Sequence, residues 1–310
     1  MLRSLLACCS LACLVAAAEF AAGDVTVEKT PQRVTVQADG KPFTEYLIKS
    51  GSKPILWPVI GPSGKRLTRN WPMEDGVAGE TDRDHVHQRS LWFTHGDVNG
   101  IDFWSEGKGR IEHREFVRVE GGPQAVIVTR NDWLSPDGSK LVLQDERTYT
   151  FGADADKRWI DCDILLKATQ GPVVFGDTKE GSFGVRMASS IRVDSKKGGK
   201  IVNSDGKSNL AAWGKPAAWV DYHGPVDGET QGIAILNHPS SYGFPTHWHV
   251  RTYGLFAANP FGLKDFTNGK SKGEYTLPAG ETMRLRYRVL LHKGDEKEGR
   301  VAETYAEYAK

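Results

Sequence analysis

The sequence predicts an all-β protein: one large antiparallel β-sandwich with a short C-terminal helix. Three observations lead to this expectation. Apolar and polar residues alternate with period two through most of the chain. Turn signals separate the alternating tracts at short intervals, and helical spacing occurs only at the C-terminal end. The 34 glycines among 310 residues are scattered, and no linker, repeat or low-complexity tract divides the chain. One large sandwich over residues 19–310 is therefore expected rather than two small ones.

The N-terminal element stands apart from that fold. "MLRSLLACCSLACLVAAAEF" carries one positive residue, Arg3, then an apolar run from Leu5 to Ala18 that closes on Ala16 and Ala18. This pattern reads as a secretory signal peptide over residues 1–18. The run is shorter than the ~20 residues of a membrane span. A lipid anchor fits less well, because Cys8 lies too early and Ser10 stands where a leucine usually precedes a modified Cys13. The expected location is secreted or periplasmic. Loss of Arg3 with the signal leaves basic and acidic side chains equal at 39 each, so no general attraction for nucleic acid or anionic lipid is expected. Cys162 is then the one remaining cysteine, which excludes an intrachain disulfide and suits a small buried side chain.

The strands follow in order. "DVTVEKTPQRVTVQADGKPFTEYLI", "REFVRVEGGPQAVIVTRNDWL", "KLVLQDERTYTF" and "RWIDCDILLKA" alternate, with "ADGK", "EGGP" and "SPDGSK" as turns. "QGIAILNHP", "HVRTYGLFAANPFG" and "GEYTLPAGETMRLRYRVLLHKG" continue the pattern. The last stretch, "DEKEGRVAETYAEYAK", places Val301, Tyr305 and Tyr308 on one helical stripe.

Chemistry-bearing residues concentrate in two places. "DRDHVHQRSLWFTHGDVNGIDFW" (82–104) holds three histidines, two tryptophans and two phenylalanines. If residues 84–93 are extended, His85, His87 and Arg89 point to one face, where polar rings and a guanidinium are costly unless the face is wet. That face is expected to line a cleft walled by "LWF" and Trp104, with His95 close by. The plainer reading is an exposed sheet face with scattered histidines. "THWHVRTYG" repeats the grammar, with His247, His249 and Arg251 on one side. The two clusters are expected to share one cavity. In "FGDTKEGSFGVRMASS", Glu180 is the carboxylate best placed as a base, with Arg186 closing the run. Trp219, Asp221 and Asn259 add aromatic and polar groups of the kind that hold sugars, rings stacking on C–H faces and polar partners engaging hydroxyls. His113 and His292 stand alone beside charged residues and are expected at the surface. Each His-x-His pair could chelate a divalent metal, but a strand built for that wants a carboxylate three or four residues on, and Gln88 to Leu91 offer none. No metal or cofactor is expected, with a divalent ion as the weaker alternative.

The order "HVHQRSLWF", "HGDVNGIDFW", "KEGSFGVR" and "HWHVRTYGLFAANPFG" resembles the uncharacterised secreted bacterial family labelled "methane oxygenase PmoA", over nearly the whole mature chain. Proteins of this kind are similar to the galactose-mutarotase-like supersandwich, which hosts aldose epimerases, polysaccharide lyases and carbohydrate-binding modules. The resemblance implies a histidine acid and a carboxylate base across a sugar ring: His85, His87, His95 or His249 with Glu180 or Asp221. Arg89, Trp104, Arg186, Trp219, Asp221, Arg251 and Asn259 would bind the substrate. No apolar run of the mature chain is long enough for a membrane span.

Three functions follow. The first is a carbohydrate-active enzyme of epimerase, lyase or hydrolase type working by His/Glu acid–base chemistry. The others are a non-catalytic glycan-binding protein and a metalloprotein with a His-rich site. Fold alone does not choose among them, and the oligomeric state is not legible.

Overall fold

The computed structural model describes residues 24–310, so the expected signal peptide lies outside the described residues. Two eight-stranded sheets dominate, and all their strand pairs are antiparallel. The first sheet begins with β1 (Val25–Lys29), β2 (Arg33–Ala38), β3 (Lys41–Ser50), β4 (Lys53–Leu56) and β5 (Leu91–His95). It continues through β11 (Gly181–Arg186) to β16 (Leu255–Asn259) and β15 (His247–Val250). The second runs β12 (Lys200–Asn203), β13 (Trp219–Val226), β14 (Glu229–Asn237), β18 (Thr282–Lys293) and β9 (Lys157–Lys167). Its far edge is β8 (Leu141–Ala153), β7 (Ala125–Leu134) and β6 (Arg110–Glu120). A small ribbon pairs β10 (Val173–Phe175) with β17 (Tyr275–Leu277).

The period-two pattern does what it predicts. In β9 every second residue is buried, placing Ile160, Cys162, Ile164 and Leu166 in the core. Residues from both sheets meet there: Phe183 stacks on Tyr287 at 4.8 Å and Phe43 meets Phe151 edge-on at 5.8 Å. Burying each such ring contributes on the order of 1.5–3 kcal/mol, which explains how the described residues, whose one cysteine is buried and free, hold together without cross-links. Cys162 is 1% exposed, as expected, and burial pushes its thiol up.

The helix α2 (Val301–Tyr308) forms where the stripe predicts it. It covers the outer face of the second sheet, where Val301 joins Trp219, Ala234, Leu236 and Leu290, with Tyr305 and Tyr308 packed alongside. One further turn of helix, α1 (Leu263–Phe266), and 3-10 turns at Val193–Ser195 and Asn209–Ala212 were not expected. Among the described residues no helix is long and apolar enough to cross a membrane.

The main correction concerns residues 84–93. They do not form one strand; the chain loops until β5 opens at Leu91. His85 and Ser90 adopt left-handed backbone, φ 47° and 52°, which breaks an extended run. Buried cations hold the loop instead: Lys53 Nζ donates to the His87 carbonyl at 2.8 Å and Arg69 Nη2 to that of His85 at 3.1 Å. The expected surface position of His292 is also wrong, since that ring is fully buried. His113 is half-buried against Tyr46 and Phe116.

Candidate functional site

The outer face of the first sheet is built by register. Leu47 pairs with Ile55, Ile55 with Trp92, Trp92 with Gly184, Gly184 with Ala257, and Ala257 with His249. Paired residues share a face, so these six side-chain positions form one row across six strands. Trp92, Ile55, Leu255 and Ala257 belong to an apolar cluster separate from the sandwich core, together with Trp104. That separation identifies the row as the face turned away from the second sheet. Gly184 is required in it: a Cβ there would lie 2.7 Å from Cζ2 of Trp92, whose indole crosses the glycine.

Around this row stands a continuous wall of rings and cations. His87 lies 5.9 Å from Trp104 and 5.8 Å from His85. His85 stacks on Tyr253 at 5.1 Å and 10°. Tyr253 receives the guanidiniums of Arg186 and Arg251 over its ring at 4.8 and 5.7 Å. Arg251 also sits over Trp213, whose ring is 6.5 Å from His249. The two histidine clusters, far apart in sequence, therefore meet through Tyr253, Arg251 and Trp213.

Hydrogen bonds set the chemistry of each imidazole. His249 Nδ1 is 2.8 Å from the Lys179 carbonyl, which only accepts. Nδ1 must carry the proton, and Nε2 is left as a bare acceptor. Burial, then Arg251, lowers this ring to about 3, so it is neutral near pH 7. Burial and nearby Lys53 likewise lower His87 to about 4. His85 Nδ1 is 2.5 Å from the Asp84 carboxylate, so its Nε2 is also left for a ligand, on a half-exposed ring. Asp84 in turn accepts from Arg69 at 2.7 Å and Arg186 at 3.1 Å, both guanidiniums buried. Its own burial opposes ionisation, but Arg186, His85 and Arg69 outweigh it and hold the carboxyl down at about 2. Arg186 also donates from Nη1 to Gln88 Oε1 at 2.6 Å.

Glu180 lies on the segment that His249 grips, and its half-exposed carboxylate is 3.2 Å from Lys179 Nζ. Tyr253 is pushed up chiefly by burial.

Several expected members do not join this surface as free groups. His95 is 1% exposed and fully engaged: Nε2 donates to the Gly176 carbonyl at 2.8 Å and Nδ1 accepts from Ser182 Oγ at 3.2 Å. Burial lowers it to about 4, and it packs among Phe175 and Phe261 as a core ring. Asn259 spends its Nδ2 on the Thr178 carbonyl at 2.9 Å and its Oδ1 on the Phe261 amide at 2.9 Å, holding the segment that carries Glu180. Arg89 turns to Glu106 and Ser50, at 2.7 and 3.1 Å. Trp104 is a buried wall residue behind His87. Trp219 and Asp221 belong to the other sheet altogether, beneath the C-terminal segment. Sequence reasoning missed Asp84, Arg69, Gln88, Trp213 and Tyr253. Asp84 was legible as the neighbour of His85 and Tyr253 as the ring after Arg251, whereas nothing local marks Arg69.

The fold and this face define a two-sheet antiparallel β-sandwich with an aromatic, cation-rich outer surface. The chain belongs to the family of unknown function DUF6807, whose pattern it matches over residues 33–306. No curated protein matches it. Among solved structures it is similar to an α-galactosidase from Lactobacillus brevis, at 10% identity and TM-score 0.39, over 88% of this chain and 40% of that one. It is also similar to a galactose mutarotase-like protein from Lactobacillus casei, at 10% identity and TM-score 0.36, over 86% of this chain and all of the other. The chain thus spans well under half of the α-galactosidase.

Proposed function

We propose that this is a secreted carbohydrate-active protein whose outer face binds a sugar and acts on it by general acid–base chemistry. One observation carries the reading. Two imidazoles, His85 and His249, stand at the ends of a single Tyr253–Arg251–Trp213 wall, each with Nδ1 already committed and Nε2 left for a ligand. Rings supply stacking faces for sugar C–H groups, and the imidazoles and guanidiniums supply hydroxyl partners. Hydrogen-bond partners divide the roles. His249 and His87, neutral near pH 7, accept hydrogen bonds rather than give protons. His85, oriented by Asp84, is the donor, and Glu180 is the base. Arg251 suits a substrate with an acidic group, whereas Arg186, expected to bind substrate, is fully buried against Asp84 and Gln88.

A non-catalytic glycan-binding role is the second reading. An open cavity of about 540 Å³ beside Ile48, Glu106 and His113 is not lined by these histidines. Acid–base catalysis gains from enclosure, and simple binding does not need it.

The test is product formation by the purified protein on neutral and uronic-acid saccharides, followed by NMR, with Glu180→Gln beside the parent. Turnover in the variant should fall about 10²–10⁴-fold with binding retained. Parent-like turnover removes Glu180 as the base. Saccharide binding without turnover in the parent replaces the enzyme reading with the binding one, and no binding at all ends both.

A further inference from the structure

The residues that do converge like metal ligands lie on the opposite side of the molecule. Alternation along β13 turns Asp221 and His223 to the outer face of the second sheet, and the segment leading to α2 lays Glu296 over them. One donor atom from each of Asp221, His223 and Glu296 lies within 4.8 Å of the other two. Asp221 is fully buried, His223 nearly so, and Glu296 is 11% exposed.

We propose that Asp221, His223 and Glu296 form a structural site for a divalent transition-metal ion that clamps the C-terminal segment to the second sheet. The hydrogen bonds mark which atoms are available. His292, fully buried, places Nε2 2.7 Å from Asp221 Oδ2 and Nδ1 3.1 Å from the Lys293 carbonyl. The ring donates from Nε2 to that carboxylate oxygen. It anchors Asp221 from behind, as the partner of a ligating carboxylate does. Asp221 Oδ1 faces His223 Nδ1 at 2.5 Å. Glu296 Oε2 is buried with no hydrogen-bond partner, 3.8 Å from that same nitrogen. A buried carboxylate oxygen without a donor is costly, and a cation between it, Asp221 Oδ1 and His223 Nδ1 would satisfy it.

Binding replaces the proton on His223 Nδ1, which moves to Nε2 or to solvent, and the two carboxylates that face the ion offset its double charge. His292 Nε2 and Lys200 Nζ, the latter 4.0 Å from Glu296 Oε1, lie on the carboxylate oxygens turned away from the ion. One imidazole nitrogen with two carboxylate oxygens suits zinc or manganese. Metal–ligand bonds of about 2.1 Å set tetrahedral donors some 3.4 Å apart, so the Asp221–His223 pair, now at 2.5 Å, must open by about 0.9 Å. The surroundings are closed, which fits a structural ion rather than a catalytic one with an exchangeable position. The site's consequence is mechanical. It ties β13 and, through His292, β18 to the turn that starts α2, the helix that shields Trp219, Leu236 and Leu290.

The experiment uses the whole mature protein, stripped with chelator and dialysed, then given zinc or manganese alone. About one equivalent should be retained per chain after further dialysis. The unfolding midpoint should rise by on the order of 5 °C at a hundredfold excess over Kd. Glu296→Gln, a change at the rim that keeps shape, should lose both effects while melting no lower than the metal-free parent. His85→Gln should keep both, which separates this site from the histidines of the other face. Retention of less than a tenth of an equivalent by the parent with an unmoved midpoint overturns the proposal, as does full retention by Glu296→Gln.

Discussion

Replacing Asp84 by asparagine removes the one carboxylate that Arg69 and Arg186 share, and keeps its shape. The two guanidiniums are 1% and 0% exposed, and their Nε atoms already lack partners. Breaking a buried ion pair by deleting one partner costs about 3–5 kcal/mol, because the remaining charge stays desolvated. Asp84 itself is 41% exposed, so water repays part of the loss, and about 2–3 kcal/mol is expected. In urea this corresponds to a midpoint lower by roughly 1 M. The pH dependence gives a second readout. The folded carboxyl titrates at about 2, below its unfolded value of 3.8, so its contribution is complete above the upper value and lost as pH falls through the lower. The stability gap between parent and variant should therefore be flat from neutral pH down to about 4.5 and close between about 4 and 2. Urea titrations monitored by tryptophan fluorescence at several pH values measure it. A gap under about 0.5 kcal/mol at pH 7, no larger than an exposed pair gives, or one that persists unchanged at pH 2.5, would refute the reasoning.

Three further outcomes follow from the same geometry. Gly184→Ala drives a methyl into the Trp92 indole, which is 1% exposed and has no room to retreat; about 1–3 kcal/mol of stability should be lost, with a changed near-UV circular dichroism spectrum. His249, lowered to about 3 chiefly by burial, should show the neutral Nδ1–H tautomer by nitrogen NMR from pH 8 to 5, and an imidazolium signal at pH 5 would contradict the assignment. Val301→Ala at the start of α2 removes two fully buried methyl groups against Leu236 and Leu290 and should cost about 2 kcal/mol in thermal or urea unfolding.

The all-β fold and the C-terminal helix were open to reading because both rest on local periodicity. In β9, residues 157–167 bury alternate side chains as their pattern demands, since a pleated strand between core and solvent has no other way to place them. Val301, Tyr305 and Tyr308 reach the sheet because 3.6 residues per turn put them on one side. The histidine-rich loop was not legible in the same way. Residues 84–90 alternate like a strand, yet Lys53 and Arg69, distant in sequence, capture their carbonyls, and two left-handed residues release the run from any sheet. The residue types of a binding surface were visible, but their partners were not.

By itself, then, the sequence determined the fold class, the helix at its end, the burial of Cys162 and the presence of two histidine–arginine clusters. Each follows from the identity and spacing of neighbouring residues. The tertiary structure alone decided which groups share a face. It brought His85 to Arg251 through Tyr253, sank His95 into the core, and sent Asp221 to the other sheet beside His223, His292 and Glu296. The physical reason is that periodicity states only which side of its own strand a residue occupies. Which sheet that strand joins, and what crosses its outer face, is fixed by antiparallel pairing and by buried charges finding partners tens or hundreds of residues away.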